Sequence, residues 1–303
     1  MADMTVGWIG IGNMGWPMAR NAKRAGLDVA VYDIDQDKLG RFAEEFDTKR
    51  APTLKALAEM SDVLVTIVPD GKIVRQICFG DGDNLTEGLT PGKIVIDMSS
   101  SAPTGTRMLG DELAKHGVIL IDAPVSGGTH GADAATLSIM VGGTDEDAIA
   151  KITPIFEATG KNVFRCGTLG CGHAMKCLNN YLSAIGLTAA NEALLIGQKF
   201  GLDPAAMIDV INVSTGRNSS TETKFHQRVL PRTYGSGFSA ALMAKDLSIA
   251  AGLAGDQDMF APLLHTTSEI WQQASAQLPG VDHEVTIEYF ERANAMKLKP
   301  GKR

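Results

Sequence analysis

The chain has 303 residues, 44% of them hydrophobic and 21% charged, and a formal net charge of −7. That length accommodates two domains with sizeable cores and the composition excludes a disordered chain. The acidic balance argues against nucleic acid or an anionic membrane as a partner, and no run of about 18 apolar residues marks a transmembrane helix.

Thr5 to Ile9 reads as a short buried strand, Asn13 to Ala25 as a helix ended by Gly26, and Val29 to Tyr32 as the next strand. Helices over Asp37 to Glu45 and Leu54 to Glu59 precede a β-branched strand, Val63 to Val68, closed by Pro69. Strands at Ile94 to Ile96 and Val118 to Ile121 flank a helix over Gly105 to His116. Apolar strands alternating with helices predict a mostly parallel sheet covered on both faces. Beyond Asp122 the pattern changes. A strand at Leu137 to Val141 ends at Gly142-Gly143, a helix over Asp145 to Ala158 takes Thr144 as its N-cap, and Val163 to Arg165 is a last short strand. From about Gly167 the pattern is helical: Ala174 to Phe200, most of Asp203 to Val213, Leu242 to Ala254, Ala261 to Ala276 and Val285 to Asn294. The boundary is expected near Arg165, with an α/β domain over 1–165 and an all-α domain over 166–303 whose long helix starts near 170. The tail KLKPGKR reads as a solvated terminus.

The opening MADMTVGWIG has no basic segment before an apolar run, so no secretory leader is expected and a cytoplasmic location follows by default. Cys78, Cys166, Cys171 and Cys177 form no CxxC pair and no metal spacing, and are read as free thiols. No metal is expected.

Gly10-Ile11-Gly12-Asn13-Met14-Gly15 fits G-x-G-x-x-G between a strand and a helix in a βαβ unit, the context in which the pattern is informative. Gly10 permits a tight turn, Gly12 lets a pyrophosphate approach the backbone, and Gly15 lets helix and strand pack closely. Unpaired N–H groups and the dipole of the helix then face the phosphates. These features predict a Rossmann domain, doubly wound. Asp33 ends the second strand, where a carboxylate can accept hydrogen bonds from the adenine-ribose hydroxyls and repel a 2′-phosphate; this favours NAD over NADP. Asp33 also suits an N-cap for the next helix, a role Asp35 could fill, and the nearby Lys38 is the residue that softens the preference.

Gly170 to Asn180 stands at the start of the long helix, and Lys176 and Asn180, four apart, share a face. A lysine beside an amide can hold a proton and orient a hydroxyl, although most helix lysines are solvated. Four segments together resemble the β-hydroxyacid dehydrogenase family, which includes 3-hydroxyisobutyrate dehydrogenase and tartronate semialdehyde reductase: Gly7 to Ala19, Asp122-Ala123-Pro124-Val125-Ser126-Gly127-Gly128, the Gly-x-Gly-x-x-x-Lys-x-x-x-Asn stretch ending at Asn180, and Phe238 followed by Lys245-Asp246-Leu247. The resemblance implies Lys176 as the catalytic lysine and Asn180 as its amide partner. It implies Ser126, Gly127 and Gly128 as the loop for the substrate carboxylate, and Ser100 near nicotinamide and substrate in place of the commoner threonine. Val68 and Pro69 stand beside the cofactor, Lys245 and Asp246 close over it from the helical domain, and Phe238 is an aromatic near the same cleft between the domains.

The implied activity is hydride transfer between NAD, or less favourably NADP, and a small carboxylate-bearing 3-hydroxy acid or its semialdehyde, in a homodimer or homotetramer. Two other readings are an imine reductase on the same scaffold, against which Lys176 argues, and a non-catalytic nucleotide sensor, which had no need to keep Lys176, Asn180 and the Ser-Gly-Gly loop. Decarboxylating 6-phosphogluconate dehydrogenase is related, but its chains are longer. The family's Gly-Thr-Leu is here Ala135-Thr136-Leu137. Arg217 reads equally as an anion ligand or a surface residue, and His130 and His173 as structural or solvated.

Overall fold

A computed structural model describes residues 4–301 and divides the chain into two compact units, one ending at Lys176 and the other beginning at Cys177. The boundary lies beyond the expected Arg165 and inside a helix. The start of the sequence and the last two residues of the basic tail fall outside the described residues.

The first unit contains the strands β1 (Thr5–Ile9), β2 (Asp28–Tyr32), β3 (Lys49–Arg50), β4 (Val63–Thr66), β5 (Ile94–Asp97), β6 (Ile119–Asp122), β7 (Val125–Ser126), β8 (Leu137–Gly142) and β9 (Gly160–Gly167). Among the described residues they form one sheet in the order β3-β2-β1-β4-β5-β6-β8-β7, with β9 also paired to β8. From β3 to β6 all pairs are parallel; β8 runs antiparallel to β6 and β7, and β9 parallel to β8. The helices are α1 (Gly15–Arg24), α2 (Gln36–Phe46), α3 (Leu54–Met60), α4 (Gly71–Phe79), α5 (Pro103–Ala114), α6 (Gly128–Asp133) and α7 (Glu146–Thr159).

Successive strand residues enter different cores, which is why the strands read as unbroken apolar runs. Val6, Trp8, Val29, Val31, Val65 and Ile96 pack on one face, with Met18 of α1, Phe42 of α2 and Ile152 of α7. Ile9, Ala30, Leu64 and Val95 pack on the other, with Leu57 of α3, Val74 of α4 and Leu113 of α5. The strand order reverses between β1 and β4. The carboxyl ends of strands at such a switch point are where open parallel sheets bind ligands.

Several elements differ from expectation. α1 begins at Gly15 and not Asn13, because residues 10–14 form the turn out of β1, with Gly10 at φ 90°. α7 is capped by Asp145 and not Thr144, since the Asp145 carboxylate accepts the Ala148 N–H at 2.9 Å. α4 was not expected, although its signal is present: Asp70 accepts the N–H groups of Lys72 and Ile73, and Val74, Ile77 and Cys78 turn inward. β9 is longer than Val163 to Arg165, β7 lies within the segment expected as the substrate loop, and α6 was not expected.

The long helix α8 (Cys171–Phe200) leads into the second unit, followed by α9 (Pro204–Asn212), α10 (Ser219–Thr223), a π-helical turn at Phe225–Val229, α11 (Ala240–Asp256), α12 (Pro262–Gln277) and α13 (Ile287–Ala293). Their core gathers Leu187, Leu194, Ile208, Phe225, Leu247 and Trp271. The indole N–H of Trp271 donates to Thr188 Oγ1 at 2.9 Å, satisfying a polar atom that burial would otherwise strand. No helix among the described residues is long and apolar enough to cross a membrane.

The start of α8 is held by a residue far away in sequence. Asp122, the last residue of β6, is fully buried; its Oδ1 accepts the Gly170 N–H and its Oδ2 the His173 N–H, both at 2.7 Å. These are amide groups that a helix cannot satisfy within itself, and the helix dipole favours an anion there. Two glycines make room for the carboxylate. A Cβ on Gly142 would lie 2.2 Å from Asp122 Oδ1, and one on Gly172 would lie 2.1 Å from the Met140 carbonyl and 2.8 Å from Asp122 Oδ2. Burial pushes the Asp122 carboxyl upward, against the pull of neighbouring His173 and the two N–H donors.

Two substitutions should move stability in opposite directions, read by urea unfolding. Asp122→Ala strands two buried N–H groups and should cost about 2–4 kcal/mol. Ala135 sits at φ 54°, a region that suits the glycine of the family pattern. Ala135→Gly should therefore stabilise by about 0.5–1 kcal/mol. A wild-type midpoint for Asp122→Ala would refute the anchoring role, and a lowered midpoint for Ala135→Gly would refute the strain.

Candidate active site

In the first unit, three aspartates at the carboxyl ends of strands organise the loops around the site. Asp33 follows β2. Its Oδ2 accepts the Ile11 N–H at 2.8 Å and its Oδ1 the Asp35 N–H at 2.9 Å. It thus braces the glycine turn while Asp35, not Asp33, caps α2 through the Lys38 N–H. Asp97 ends β5. Its Oδ1 accepts from Thr66 Oγ1 and the Ser99 N–H, and its Oδ2 from Ser101 Oγ at 2.7 Å. Ser99 Oγ in turn accepts the Val68 N–H at 3.0 Å, tying the Val68-Pro69 segment after β4 to the serine loop. Ser99 and Ser101 are buried and committed to these bonds; Ser100 between them is only partly buried. Asp122 ends β6 and holds α8 as described.

His173 lies among these groups. It is buried, its Nδ1 is 2.8 Å from Thr106 Oγ1, and its Nε2 faces Asp97 Oδ2 at 3.6 Å. With Asp122 Oδ2 3.7 Å from Nδ1, the imidazole lies between the two strand-end carboxylates, and its Nε2 has no hydrogen-bond partner among the described residues. This is the structural role expected for it. His130 instead lines the glycine-loop cleft.

The glycine turn has the geometry that a dinucleotide needs. A Cβ on Gly15 would lie 1.9 Å from the Gly10 carbonyl oxygen, so no larger residue fits there without moving the strand end. A Cβ on Gly12 would meet nothing within 4 Å, leaving open space above the backbone. No side chain caps α1, whose N-terminus is therefore available to an anion. Ile11, Gly12 and Asn13 line a cleft of about 500 Å³, with Lys38 and Arg41 among the residues of its wall. Lys38 is paired with Asp35 at 3.1 Å, and Arg41 lies over the Trp16 ring. The residues present fit a pyrophosphate at Gly12 to Met14 and a ribose near Asp33.

Ser126 closes β7. Gly127 and Gly128 follow at φ 135° and 63°, values that L side chains rarely adopt, so the Ser-Gly-Gly loop needs its glycines for conformation as well as for space. Lys176 stands one turn into the anchored α8 and is only 9% exposed. It is not the solvated helix lysine that its type alone suggests.

In the second unit, Asn180 is buried and donates its amide to Asp246 Oδ2 at 2.6 Å, while Asp246 Oδ1 lies 3.3 Å from Lys245 Nζ. The Lys-Asp pair is thus engaged with Asn180, a connection that sequence spacing did not reveal. Phe238 packs edge-on against His283, and its carbonyl accepts the His283 N–H at 2.9 Å. Arg217 is exposed and 3.5 Å from Glu222, which favours the surface reading. All four cysteines are free, and burial pushes the Cys78 and Cys177 thiols up to about 12, so neither is a nucleophile. No cluster of metal-ligating side chains occurs among the described residues. Reading the sequence missed Asp97 and assigned Asp122 no role of its own, although each is an acid closing an apolar strand.

Comparison with known proteins agrees with this architecture. Residues 5–167 match the NAD-binding domain of 6-phosphogluconate dehydrogenase, and residues 170–290 match the NAD-binding segment of NADP-dependent 3-hydroxyisobutyrate dehydrogenase. The chain is 31% identical over 300 residues to 2-(hydroxymethyl)glutarate dehydrogenase of Eubacterium barkeri, covering 99% of each chain. It is 35% identical to 2-hydroxy-3-oxopropionate reductase of Escherichia coli, with 97% of this chain and 100% of that one covered. A Mycobacterium tuberculosis 3-hydroxyisobutyrate dehydrogenase solved with L-serine superposes with a TM-score of 0.87 at 31% identity, over 95% of this chain and 99% of that one. The chain belongs to the β-hydroxyacid dehydrogenase family, and is an NAD-binding oxidoreductase that acts on CH–OH groups.

Proposed function

We propose that the chain interconverts a small 3-hydroxy acid and its semialdehyde, with Lys176 as the acid/base. One observation carries this reading: Asp122, four residues before Ser126, also grips the start of the helix that bears Lys176. The strand end that leads into the loop suited to a carboxylate thus also holds the helix of the lysine suited to a hydroxyl. The compounds named for the relatives support the substrate class, since 2-(hydroxymethyl)glutarate and L-serine each carry a hydroxymethyl group on a carbon next to a carboxylate.

In this reading Ser126 and the N–H groups of Gly127 and Gly128 hold the substrate carboxylate. Asn180, one turn beyond Lys176 on α8, orients the hydroxyl; Asp246 fixes its amide nitrogen, and its carbonyl oxygen, which accepts from Asn179 Nδ2 at 3.2 Å, has a second lone pair for the substrate. When bound, the nicotinamide accepts or returns the hydride. In oxidation, neutral Lys176 takes the hydroxyl proton as the carbonyl forms; in reduction its ammonium returns that proton to the carbonyl oxygen. Gly10 to Gly15 would cradle the pyrophosphate, with Val68, Pro69 and Ser100 beside the rest of the cofactor, and Lys245 keeps the cofactor role that the family resemblance implies. Phe238 keeps the substrate-binding role that the family resemblance implies.

The preference for NAD rests on Asp33, whose second lone pairs remain for ribose hydroxyls, and on Lys38, whose charge is already paired with Asp35. Exposed apolar side chains in the second unit, among them Ile196, Phe200, Val213 and Phe260, support a homodimer or homotetramer. Free thiols fit the reducing cytoplasm, which cell fractionation would test.

Lys176→Ala should leave NADH binding, followed by fluorescence, nearly intact while lowering kcat by about 10²- to 10⁴-fold. Undiminished turnover would remove Lys176 from the chemistry. Asp33→Ala should weaken NAD binding and narrow its advantage over NADP. A wild-type enzyme that favours NADP in steady-state assays would overturn the assignment of Asp33. Light scattering should return two or four chain masses; a monomer at micromolar concentration would contradict the proposed assembly.

A further inference from the structure

Lys224 is a buried cation with little to balance it. It lies between α10 and the π-helical turn and is 9% exposed. Its Nζ reaches Ser183 Oγ at 3.4 Å, a long bond that uses one of three donors. No carboxylate oxygen among the described residues stands within 4.0 Å of it. The acids that act on it from a distance are already occupied. Glu284, wholly buried, accepts Arg228 Nε on both oxygens at 2.8 Å. Asp282 accepts from Ser236 Oγ, the Gly237 N–H and the Glu284 N–H. Burial accordingly pushes the Lys224 ammonium down to about 8, with Arg228 acting in the same direction and Glu284 and Asp282 opposing it.

An uncompensated buried ammonium is costly, and proteins normally pair or replace one. The placement of Lys224 shows what would compensate it. Ser183, its partner, lies three residues beyond Asn180 and so on the same face of α8. The two positions are about 4.5 Å apart along the helix axis, a distance that two or three carbons span. π-Helical turns are themselves frequent at functional sites.

We propose that Lys224, assisted by Ser183, binds a second carboxylate on the substrate, so that the preferred substrate is a dicarboxylic 3-hydroxy acid. This rests on the reading of Asn180 as a substrate ligand. The hydroxyl is held at Asn180 and the distal carboxylate at Lys224, where it supplies the missing counter-charge.

A matched pair of substrates tests this. 2-(Hydroxymethyl)succinate is 3-hydroxyisobutyrate with a carboxylate replacing one methyl hydrogen. Steady-state kinetics with NAD should give the dicarboxylate the higher kcat/KM in the wild type. Lys224→Met should raise its KM by about 10- to 100-fold with kcat nearly unchanged, and leave 3-hydroxyisobutyrate within about twofold. Lys224→Arg should retain part of the preference. Lys224→Met should also hold or raise the Tm, since an unpaired buried charge is removed. Equal losses on both substrates, or a wild type that turns over 3-hydroxyisobutyrate with no preference for the dicarboxylate, would overturn the inference and leave the reaction assignment standing. If wild type oxidises neither, and reduces no corresponding semialdehyde with NADH, the assignment fails and this inference fails with it.

Discussion

The candidate active site of the first unit depends on one buried carboxylate. Asp122 ends β6, and both of its oxygens accept backbone N–H groups at the start of α8, at Gly170 and His173. An anion at the positive end of a 30-residue helix is electrostatically favourable, and it satisfies amides that have no partner within the helix. Burial opposes the charged form, so the carboxylate is tolerated because the donors and His173 surround it. Gly142 and Gly172 supply the space, which gives a physical meaning to the second glycine of Gly-x-Gly-x-x-x-Lys. The start of the Lys176 helix is thus set by a strand end and not by its own loop.

The same device recurs along the sheet edge. Asp33, Asp97 and Asp122 each occupy the carboxyl end of a parallel strand, and each spends its oxygens on loop N–H or hydroxyl groups. Parallel strands deliver their loops to one edge, and those loops lack ladder partners for their amides. A carboxylate can accept several bonds at once and turns a potentially mobile edge into a rigid one. Rigidity matters for hydride transfer, because misplacement of about 1 Å is costly to rate. His173 sits between Asp97 and Asp122 and is held by the Thr106 hydroxyl of α5.

The second unit arranges its polar groups differently. Its helices satisfy their own backbones, so the buried polar side chains Asn180 and Asp246 must pair with each other. Lys224 departs from that rule. Nearby Arg228 and Glu284 form a complete pair and leave Lys224 with a distant hydroxyl. Buried amide atoms of Asn191 and Asn212 also lack hydrogen-bond partners, but Lys224 is the incomplete group that carries a charge, which makes it informative about an anionic ligand.

The sequence by itself determined the α/β-then-α order, the apolar parallel strands, the glycine turn after β1 and the position of Lys176 four residues before Asn180. These are local properties: periodicity, glycine spacing and helix pitch are written in neighbouring residues. The Ser-Gly-Gly and Lys-Asp segments were legible through family resemblance, since neither has a strong local signal. Tertiary structure alone decided that Asp122 caps α8 across 48 residues, that Asp33 braces the glycine turn it follows, that Asp246 grips Asn180 across 66, and that Lys224 is buried without a carboxylate. Each of these depends on which distant groups burial brings together. Local preference also failed at Thr144 and Asp145, where two adjacent residues suit an N-cap and the geometry of the α7 entrance selects the second.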